Sequence, residues 1–341
     1  MRKTRRYGGV LSAILTGAAE AFAAPSAGSD QRKPCGVRGK TCLVTGASSG
    51  LGYAVAVELA KRGGRVIVAS RSADAELAAE IHRAAGATGA PAVEARRLDL
   101  SRFESVETFA AGLARDGIKL DVAVFNAGIV TSESRSTADG FDEMLQVNYL
   151  SKFLLVKRLL ERGTIEPSAA AGAHGVPRVI FVSSESHRSG PDIDHERPFA
   201  LPRYRMRDSI RYYGYSKLLL TMFTEELSRR VNGADAPRLS VFTLCPGAMN
   251  TGIAREAPRF LEPAVRFFLN HFFPSPDQAA RPVVFLACSP ELEGRTDVYL
   301  HLMRRKQKDA RARDPETGRV LWNCSERAVA REAKTADRPD A

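Results

Sequence analysis

Short apolar runs alternate with amphipathic stretches from residue 40 onward, and this rhythm predicts a series of strands and helices. We predict strands at residues 40–45, 65–69, 92–98, 121–125, 178–182, 239–244 and 298–300. We predict helices at residues 50–62, 72–85, 101–115, 138–162, 210–231 and 276–287. Strands that alternate with helices in this way are typical of an α/β fold with a doubly wound parallel sheet, here in a single domain.

Two stretches interrupt the alternation. Residues 169–176 form a low-complexity loop, and residues 187–208 form a long, polar and charged segment that contains Pro191, Pro198 and Pro202. The second stretch follows the fifth predicted strand, at the carboxyl edge where such sheets bind their ligands. It is equally compatible with a lid over the substrate and with a tolerated surface insertion.

The first 38 residues differ in composition from the rest of the chain. A basic start between Arg2 and Arg6 precedes a soft apolar stretch at 7–24 and a segment rich in proline, serine and glycine. This plan matches a secretory signal, but it also fits an organellar presequence, a weak membrane-surface helix or a disordered leader.

The chain is therefore divided into three segments. Residues 1–38 are the leader, which is excluded from the fold, and residues 39–303 carry the predicted domain. Residues 304–341 are expected to form a peripheral tail, in which Trp322 docks a short helix at 320–327 on the body.

Charge and cysteine content narrow the classes of function. The 341 residues carry a formal net charge of +11, from 50 Lys and Arg against 39 Asp and Glu. The basic residues are dispersed and no stacking aromatics alternate with them, so we expect no nucleic-acid partner. The five cysteines are widely spaced without a Cys-x-x-Cys motif, so neither a disulfide framework nor a zinc site is predicted. We also expect no internal membrane span, which would need roughly 18 consecutive apolar residues.

A glycine-rich loop directly follows the first predicted strand. It reads Thr-Gly-Ala-Ser-Ser-Gly-Leu-Gly and contains Gly46, Ser48, Ser49, Gly50, Leu51 and Gly52. The first glycine permits a tight turn, the second lets the backbone approach a pyrophosphate, and the third allows close packing of helix on sheet. The dipole of the following helix favours the same anion. Because the loop joins a strand to a helix in an alternating chain, it predicts a Rossmann-type dinucleotide site and not a bare turn.

The end of the second strand indicates which dinucleotide binds. NAD sites place an acidic residue here to hold the ribose hydroxyls, whereas this chain has Ser70 followed by Arg71. A guanidinium suits a 2′-phosphate that a carboxylate would repel, so we predict NADP(H), with capping of a loop as the alternative role of Arg71. Asp99 follows the third strand near the expected adenine position, where we predict that it contacts the cofactor, with a turn residue or a cap as the alternative.

These features resemble the short-chain dehydrogenase/reductase family over roughly residues 38–300. The glycine-rich loop matches the family's cofactor signature, and Tyr213 with Lys217 matches its Tyr-x-x-x-Lys signature. The other matches, in chain order, are Asn126, Ala127 and Gly128, then Asn148, Ser184, Pro246, Gly247 and Thr251. Arg71, the long stretch between Ser184 and Tyr213, and an aromatic segment after Gly247 resemble the retinol-dehydrogenase-like branch.

The resemblance implies a role for each matching residue. Ser184 would hydrogen-bond and orient the substrate oxygen, Lys217 would hold the nicotinamide ribose, and Asn148 would fix a water that links Lys217 to solvent. The cofactor would further contact Asn126, Ala127, Gly128, Tyr213, Pro246, Gly247 and Thr251.

Hydride transfer at a carbonyl needs a proton donor for the oxygen. A free tyrosine has a pKa of about 10, which a nearby ammonium and a positive nicotinamide ring would lower. Tyr213 and Lys217 lie four residues apart in a predicted helix and so share one face. The neighbouring Tyr212 and Tyr215 meet no cation at that spacing, so Tyr213 is the predicted acid/base.

The segment after Gly247 bears on the substrate. It contains Phe260, Phe267, Phe268, Phe272 and Phe273. In this family the segment covers the substrate pocket, and its aromatics could line an apolar pocket, press on a membrane surface, or pack on the core or another subunit. We favour a lipophilic alcohol or carbonyl substrate of the retinoid, steroid or lipid kind. The family's pairing of its long central helices implies a homodimer.

Two rival functions share this fold. A non-catalytic dinucleotide-binding protein would not need Asn148, Ser184, Tyr213 and Lys217 together. A same-fold isomerase or epimerase often carries a Gly-x-x-Gly-x-x-Gly loop and a larger C-terminal domain, which differ from the pattern here. The inferred cofactor is kept inside cells, so we expect a cytoplasmic protein, with membrane-surface association and an N-terminal targeting signal left open.

Overall fold

A computed structural model describes residues 36–86, 91–168, 175–233, 236–247 and 275–336. The strands are β1 (Thr41–Thr45), β2 (Arg65–Ser70), β3 (Glu94–Arg97), β4 (Val122–Phe125), β5 (Arg178–Val182), β6 (Ser240–Cys245), β7 (Val298–His301) and β8 (Arg304–Arg305). The main helices are α1 (Gly50–Lys61), α2 (Ala75–Ala85), α3 (Phe103–Arg115), α4 (Ser151–Glu161), α5 (Met206–Val231), α6 (Pro276–Cys288), α7 (Ala310–Arg313) and α8 (Pro315–Ala336). Shorter helical turns are Glu143–Leu145, Gln146–Leu150, Glu185–Arg188 and Pro290–Leu292.

The strands form one eight-stranded sheet in the order β3-β2-β1-β4-β5-β6-β7-β8. Every neighbouring pair is parallel except the terminal hairpin of β7 and β8. The predicted doubly wound α/β sheet is therefore confirmed. Because the chain leaves β1 toward β2 on one side and returns to β4 on the other, a crevice opens at the carboxyl ends of β1 and β4, where such sheets bind ligands.

Apolar side chains of the sheet alternate between two packed layers. In β1, Leu43 packs into the layer that contains α3, α4 and α5, whereas Cys42 and Val44 pack into the layer that contains α1 and α6. All three are fully buried. Both faces of the parallel sheet are thus covered by helices, which is why its strands read as continuous apolar runs.

The start of α3 differs from the prediction. The helix predicted from residue 101 begins at Phe103, and its N-cap residue, Arg102, makes no side-chain capping bond. The Ser101 hydroxyl instead donates to Asp99 Oδ1 (2.7 Å), and the Phe103 N–H is satisfied by Asp139 Oδ2 (2.8 Å). A cap from a residue this distant in sequence leaves no local pattern to detect.

The segment expected to be a peripheral tail is part of the core. Helix α8 is longer than the predicted 320–327, and its Leu321 is 2% exposed. The Trp322 ring lies 5.0 Å from that of Phe153 and 5.8 Å from that of Phe223. The Tyr149 hydroxyl is hydrogen-bonded to Ser325 Oγ at 2.6 Å. The core also extends in the other direction, because Val37, which we assigned to the leader, is fully buried.

The cysteines match the prediction only in part. Cys42, Cys245 and Cys324 are free and buried. Cys288 is also buried but is disulfide-bonded, which the wide spacing of the cysteines did not indicate. Within the described ranges, no three potential ligands among His, Cys, Asp and Glu are grouped as a metal site would need.

Several sequence predictions concern residues that the structure does not describe. These are most of the leader, the loop at 169–174, Thr251 and the aromatic segment that contains Phe260. Among the helices of the described part, none has the length and apolar character needed to span a membrane.

Candidate active site

The glycine-rich loop turns sharply from β1 into α1. Gly46 has a left-handed backbone (φ +69°), and a Cβ there would lie 2.8 Å from the Cα of Ala127. A Cβ at Gly52 would lie 2.6 Å from the Asn126 amide nitrogen. A Cβ at Gly50, by contrast, would meet nothing within 4 Å. The first and third glycines are thus required by packing, while the second borders open space where a phosphate could approach the backbone.

The N-terminus of α1 is suited to an anion. Ser49 is the N-cap residue but makes no side-chain capping bond, and the first turn contains no acidic residue. Ser48, Ser49 and Gly50 are exposed, whereas Leu51 is buried in the core. The uncapped N–H groups and the helix dipole therefore face solvent at this point, and Leu51 could contribute only backbone contacts.

Asn126, at the end of β4, fastens the glycine loop to the centre of the sheet. Its side-chain amide donates to the carbonyl oxygens of Thr45 (3.0 Å) and Gly46 (3.2 Å). The N–H of Ala127 donates to Thr45 Oγ1 (3.2 Å). The predicted markers at 126–128 are thus brought against the phosphate loop, on the edge of the crevice.

The carboxyl end of β2 presents positive charge to solvent. Arg71 is exposed, and Arg97 of β3, also exposed, is paired in register with Ser70. The first carboxylate after β2, Asp74, accepts the Leu77 N–H at 2.9 Å and so caps α2.

Asp99, predicted near the adenine, is engaged in the turn after β3. One of its carboxylate oxygens, Oδ1, accepts hydrogen bonds from the N–H (2.9 Å) and the hydroxyl (2.7 Å) of Ser101. Its own N–H donates to Ser105 Oγ at 3.0 Å. The turn role left open by the sequence is therefore present, and it occupies one oxygen of the side chain.

Asn148 lies in a π-helical turn, Gln146–Leu150, that leads into α4. It is fully buried, and its Oδ1 accepts the N–H of Ile129 (2.9 Å). Its Nδ2 donates to the carbonyl of Ile129 (2.9 Å) and to Ser216 Oγ (3.0 Å). Both amide hydrogens are used by protein atoms, so only Oδ1 retains capacity for a further partner such as water. Single π-turns of this kind occur often at functional sites.

Lys217 is buried beside Tyr213 on α5. Its Nζ donates to the carbonyl oxygen of Val182 (3.0 Å) and lies 5.5 Å from the centroid of the Tyr213 ring. Burial lowers the pKa of Lys217 to about 8. A Cβ at Gly128 would lie 3.1 Å from Asn148 Oδ1 and 3.3 Å from Lys217 Nζ, so both polar groups border the space that this glycine leaves free.

The Tyr213 phenol interacts with the side chain of Ser184, and this interaction favours the charged form of the phenol. Ser184 lies two residues after the end of β5 and is the N-cap residue of the helical turn Glu185–Arg188, where its Oγ accepts the N–H of Ser186 (3.2 Å). We expected Lys217 to help lower the pKa of Tyr213. In this structure burial raises the pKa of Tyr213 above its ordinary value, and the interaction with Ser184 only partly offsets this. Burial therefore favours the neutral phenol.

Two supporting residues were missed by sequence reasoning or assigned differently. Ser216 bonds to Asn148, but a serine one residue before the lysine carries no signal of that role. His187, in the segment predicted as a lid or a surface insertion, is fully buried and hydrogen-bonds through Nδ1 to the Ser184 carbonyl (2.7 Å). Gly247 follows β6 with φ +89°, and the predicted cofactor contact Thr251 lies outside the described residues.

Comparisons with known proteins agree with this geometry. The family model for short chain dehydrogenases matches residues 40–191. Retinol dehydrogenase 13 from Mus musculus is 36% identical over 298 residues, which cover 86% of this chain and 84% of that relative. Retinol dehydrogenase 14 from Homo sapiens is 34% identical over 304 residues, covering 85% of this chain and 86% of the relative.

Solved structures show the same fold. A crystal structure of an uncharacterized protein from Mycobacterium paratuberculosis matches with a TM-score of 0.64 and 30% identity, covering 86% of this chain and 95% of that one. A protein described as an NAD(P)-dependent gluconate 5-dehydrogenase from Beutenbergia cavernae, solved with bound NADP, matches with a TM-score of 0.55 and 25% identity, covering 79% of this chain and 97% of that one.

Fold, site and relatives together define an NAD(P)-dependent oxidoreductase that interconverts alcohols and carbonyls. More narrowly, the chain belongs to the short-chain dehydrogenase/reductase family, in its retinol-dehydrogenase-like branch.

Proposed function

We propose that this protein is an NADP(H)-dependent oxidoreductase that interconverts a lipophilic alcohol and its carbonyl, with Tyr213 as the acid/base. The observation that carries this proposal is the placement of the buried Lys217 ammonium 5.5 Å from the centroid of the Tyr213 ring, with the side chain of Ser184 interacting with the same phenol. A proton donor, an orienting hydroxyl and a cation are what carbonyl reduction needs around the reacting oxygen.

Each residue of the site has a separate role in the proposed reaction. The bound nicotinamide would supply or accept the hydride. Ser184 would hydrogen-bond the carbonyl oxygen of the substrate and hold it beside the Tyr213 hydroxyl, which would donate its proton to that oxygen. Lys217, whose pKa burial lowers to about 8, would stabilise the phenolate that remains and return a proton to it. Asn148 Oδ1 would hold a water on the route from Lys217 to solvent.

The preference for NADP(H) rests on the edge formed by β2 and β3. Arg71 is exposed there, and the nearest following carboxylate, Asp74, already caps α2. A 2′-phosphate would gain a charge-assisted hydrogen bond from Arg71 and would meet no repelling carboxylate from Asp74.

A fluorescence titration of the purified protein with NADPH and NADH tests the cofactor proposal. We expect NADPH to bind more tightly than NADH, and Arg71→Ala to weaken NADPH binding about 10- to 100-fold while leaving NADH unchanged. Arg83→Ala, which removes an exposed arginine from α2, is the matched control. Tighter binding of NADH would overturn the assignment of Arg71, and binding of neither would overturn the oxidoreductase itself.

The lipophilic substrate class is proposed from the apolar segment after Gly247 and from relatives named as retinol dehydrogenases. A panel of retinoid, steroid and fatty aldehydes, with short polar aldehydes for contrast, would test it by NADPH oxidation. Faster turnover of the polar aldehydes would contradict the proposal. We further propose a cytoplasmic homodimer that contacts a membrane surface, which light scattering and vesicle co-sedimentation would test.

A further inference from the structure

The loop that carries Ser184 is held by the C-terminal part of the chain. We call residues 184–191 the serine loop, and we call Asp309 and Arg311 the C-terminal clamp. Arg311 lies in α7, and its guanidinium donates to the backbone carbonyls of four loop residues: His187 (3.4 Å), Arg188 (3.1 Å), Gly190 (2.9 Å) and Pro191 (3.3 Å). Its Nε donates to Asp309 Oδ1 at 3.1 Å, which orients the planar group. A guanidinium offers several donors in a rigid fork, and here they are used on the loop backbone.

His187 connects the clamp directly to Ser184. Its Nε2 accepts the N–H of Asp309 (3.1 Å), so the ring hydrogen lies on Nδ1, which donates to the carbonyl oxygen of Ser184 (2.7 Å). Burial lowers the pKa of His187 to about 4, and the imidazole is therefore neutral in this arrangement. The result is an unbroken hydrogen-bonded path from Asp309 through His187 to Ser184.

The serine loop is also pressed against the helix that carries Tyr213. A Cβ at Gly190 would lie 2.8 Å from the backbone nitrogen of Tyr215, and a Cβ at Gly214 would lie 3.2 Å from the backbone nitrogen of Gly190. The two backbones therefore meet within two residues of Tyr213. Any displacement of the loop changes the position of Ser184 relative to the tyrosine hydroxyl.

From these contacts we propose that Asp309 and Arg311 are positioning residues for catalysis, which hold the loop that carries Ser184 in place beside Tyr213. This inference rests on the proposed oxidoreductase function. The clamp lies at the β5 to β7 end of the sheet, whereas the phosphate loop follows β1, so its loss should slow the chemical step and spare cofactor binding.

The test compares Arg311→Ala with Arg313→Ala in the full chain. Arg313 belongs to the same short helix but is exposed, so it is a matched control. We expect Arg311→Ala to lower kcat about 10- to 100-fold, the loss typical of a small misplacement of reacting groups, with the Kd for NADPH changed less than about twofold. Arg311→Lys, which keeps the charge and loses the fork, should recover only part of the rate. Arg313→Ala should match the wild type.

Chemical rescue and hydrogen exchange separate positioning from a general loss of stability. Guanidinium chloride at low millimolar concentration should raise the rate of Arg311→Ala, while equal sodium chloride should not. Amide exchange in residues 186–190 should be faster in Arg311→Ala than in Arg313→Ala. An unchanged kcat in Arg311→Ala would overturn the proposal, as would a lowered rate that guanidinium does not restore.

The same experiment distinguishes failure of the clamp from failure of the proposed function. If no carbonyl of the panel supports NADPH oxidation by the wild type, the proposed function fails. Hydrogen exchange alone then tests whether the clamp holds the serine loop. Unchanged exchange in residues 186–190 of Arg311→Ala would then overturn the clamp. Faster exchange confined to that loop would support it as the element that positions Ser184.

Discussion

Two buried lysines, Lys217 next to Tyr213 and Lys308 near the end of the sheet, show how differently the site and its framework treat charge. Each is 3% exposed. Lys308 forms ion pairs with Asp297 (2.6 Å) and with Glu225. Lys217 makes no ion pair within the described residues, and its Nζ donates to a neutral carbonyl, that of Val182.

The acidic partners of Lys308 complete this contrast. Burial raises the pKa of Glu225. Burial acts in the same direction on Asp297, but the charge of Lys308 together with hydrogen bonds from Glu225 and Lys308 outweighs it and lowers the pKa of Asp297. The ammonium is thus balanced by two acidic side chains. Beside Lys217 lies instead another buried lysine, Lys152, whose Nζ has no hydrogen-bond partner among the described residues. Its pKa is lowered by burial and by the charge of Lys217.

The region around Lys308 serves stability, whereas we propose that the region around Lys217 serves chemistry. A buried charge without a partner costs stability, so it persists where a function needs it. Around Lys308, ion pairs compensate the free-energy cost of burying the ammonium. Around Lys217 and Lys152, no ion pair among the described residues compensates that cost. Substitution of each lysine by methionine, which has a similar length and no charge, should separate these cases.

The largest effect is expected for Lys217→Met. Turnover should fall about 10³-fold, because Tyr213 loses the cation that stabilises its phenolate. The free energy of unfolding should not fall, because an uncompensated amine is removed. Steady-state rates with NADPH and urea unfolding of the cofactor-free protein measure the two quantities. Retention of more than a tenth of the rate would remove Lys217 from the mechanism.

Lys308→Met should have the opposite signature. Its removal leaves the buried Glu225 and the half-exposed Asp297 without their cation. Breaking a fully buried group typically costs about 3–5 kcal/mol of stability, and we expect the lower end of that range because solvent screens Asp297. The effect should be visible in urea unfolding, with kcat of the remaining folded protein within about threefold of wild type. A variant as stable as wild type would show that the ion pairs contribute nothing net.

Lys152→Met should stabilise the protein by about 1–2 kcal/mol, because it removes a buried amine that has no partner. The same lysine-to-methionine substitution is thus expected to lower the free energy of unfolding at Lys308 and to raise it at Lys152. Thermal or urea unfolding beside Lys308→Met provides the comparison. Destabilisation by Lys152→Met would mean that its amine has a partner that the described residues do not include.

The pH dependence of stability should show the smallest effect. The pKa of Lys217 is about 8 in the folded protein and 10.5 as the ordinary value, so the unfolded chain binds more protons between these values. Stability therefore rises with pH through this window, by about 1 kcal/mol between pH 8 and 9 for one such group. The difference in the free energy of unfolding between wild type and Lys217→Met should therefore become smaller as the pH rises through this window. A difference that stays constant from pH 7 to 10 would contradict the lowered pKa.

The sheet and the phosphate loop could be predicted because their signals are local. The alternating periodicity predicts each strand, and Gly46, Gly50 and Gly52 lie only a few positions apart in the chain. The Tyr213 and Lys217 pair is likewise a four-residue pattern. In each case the residues that form the pattern lie within a few positions of one another in the sequence.

The C-terminal contributions could not be predicted because their partners are remote. Trp322 packs on Phe153 and Phe223, which lie far away in sequence. Arg311 binds backbone carbonyls, which every residue possesses and which leave no mark in the sequence. The raised pKa of Tyr213 also depends on burial by the assembled fold and not on the spacing to Lys217.

Tyr213 is the proposed acid/base of an alcohol/carbonyl oxidoreductase, and the activities of single tyrosine variants test this role. NADPH oxidation with the best carbonyl of the panel should be compared for wild type, Tyr213→Phe and Tyr212→Phe, the last being a matched control for a neighbouring tyrosine. We expect a loss of at least about 10³-fold in Tyr213→Phe, with NADPH binding retained, and little change in Tyr212→Phe. Equal activity of Tyr213→Phe and wild type would contradict it.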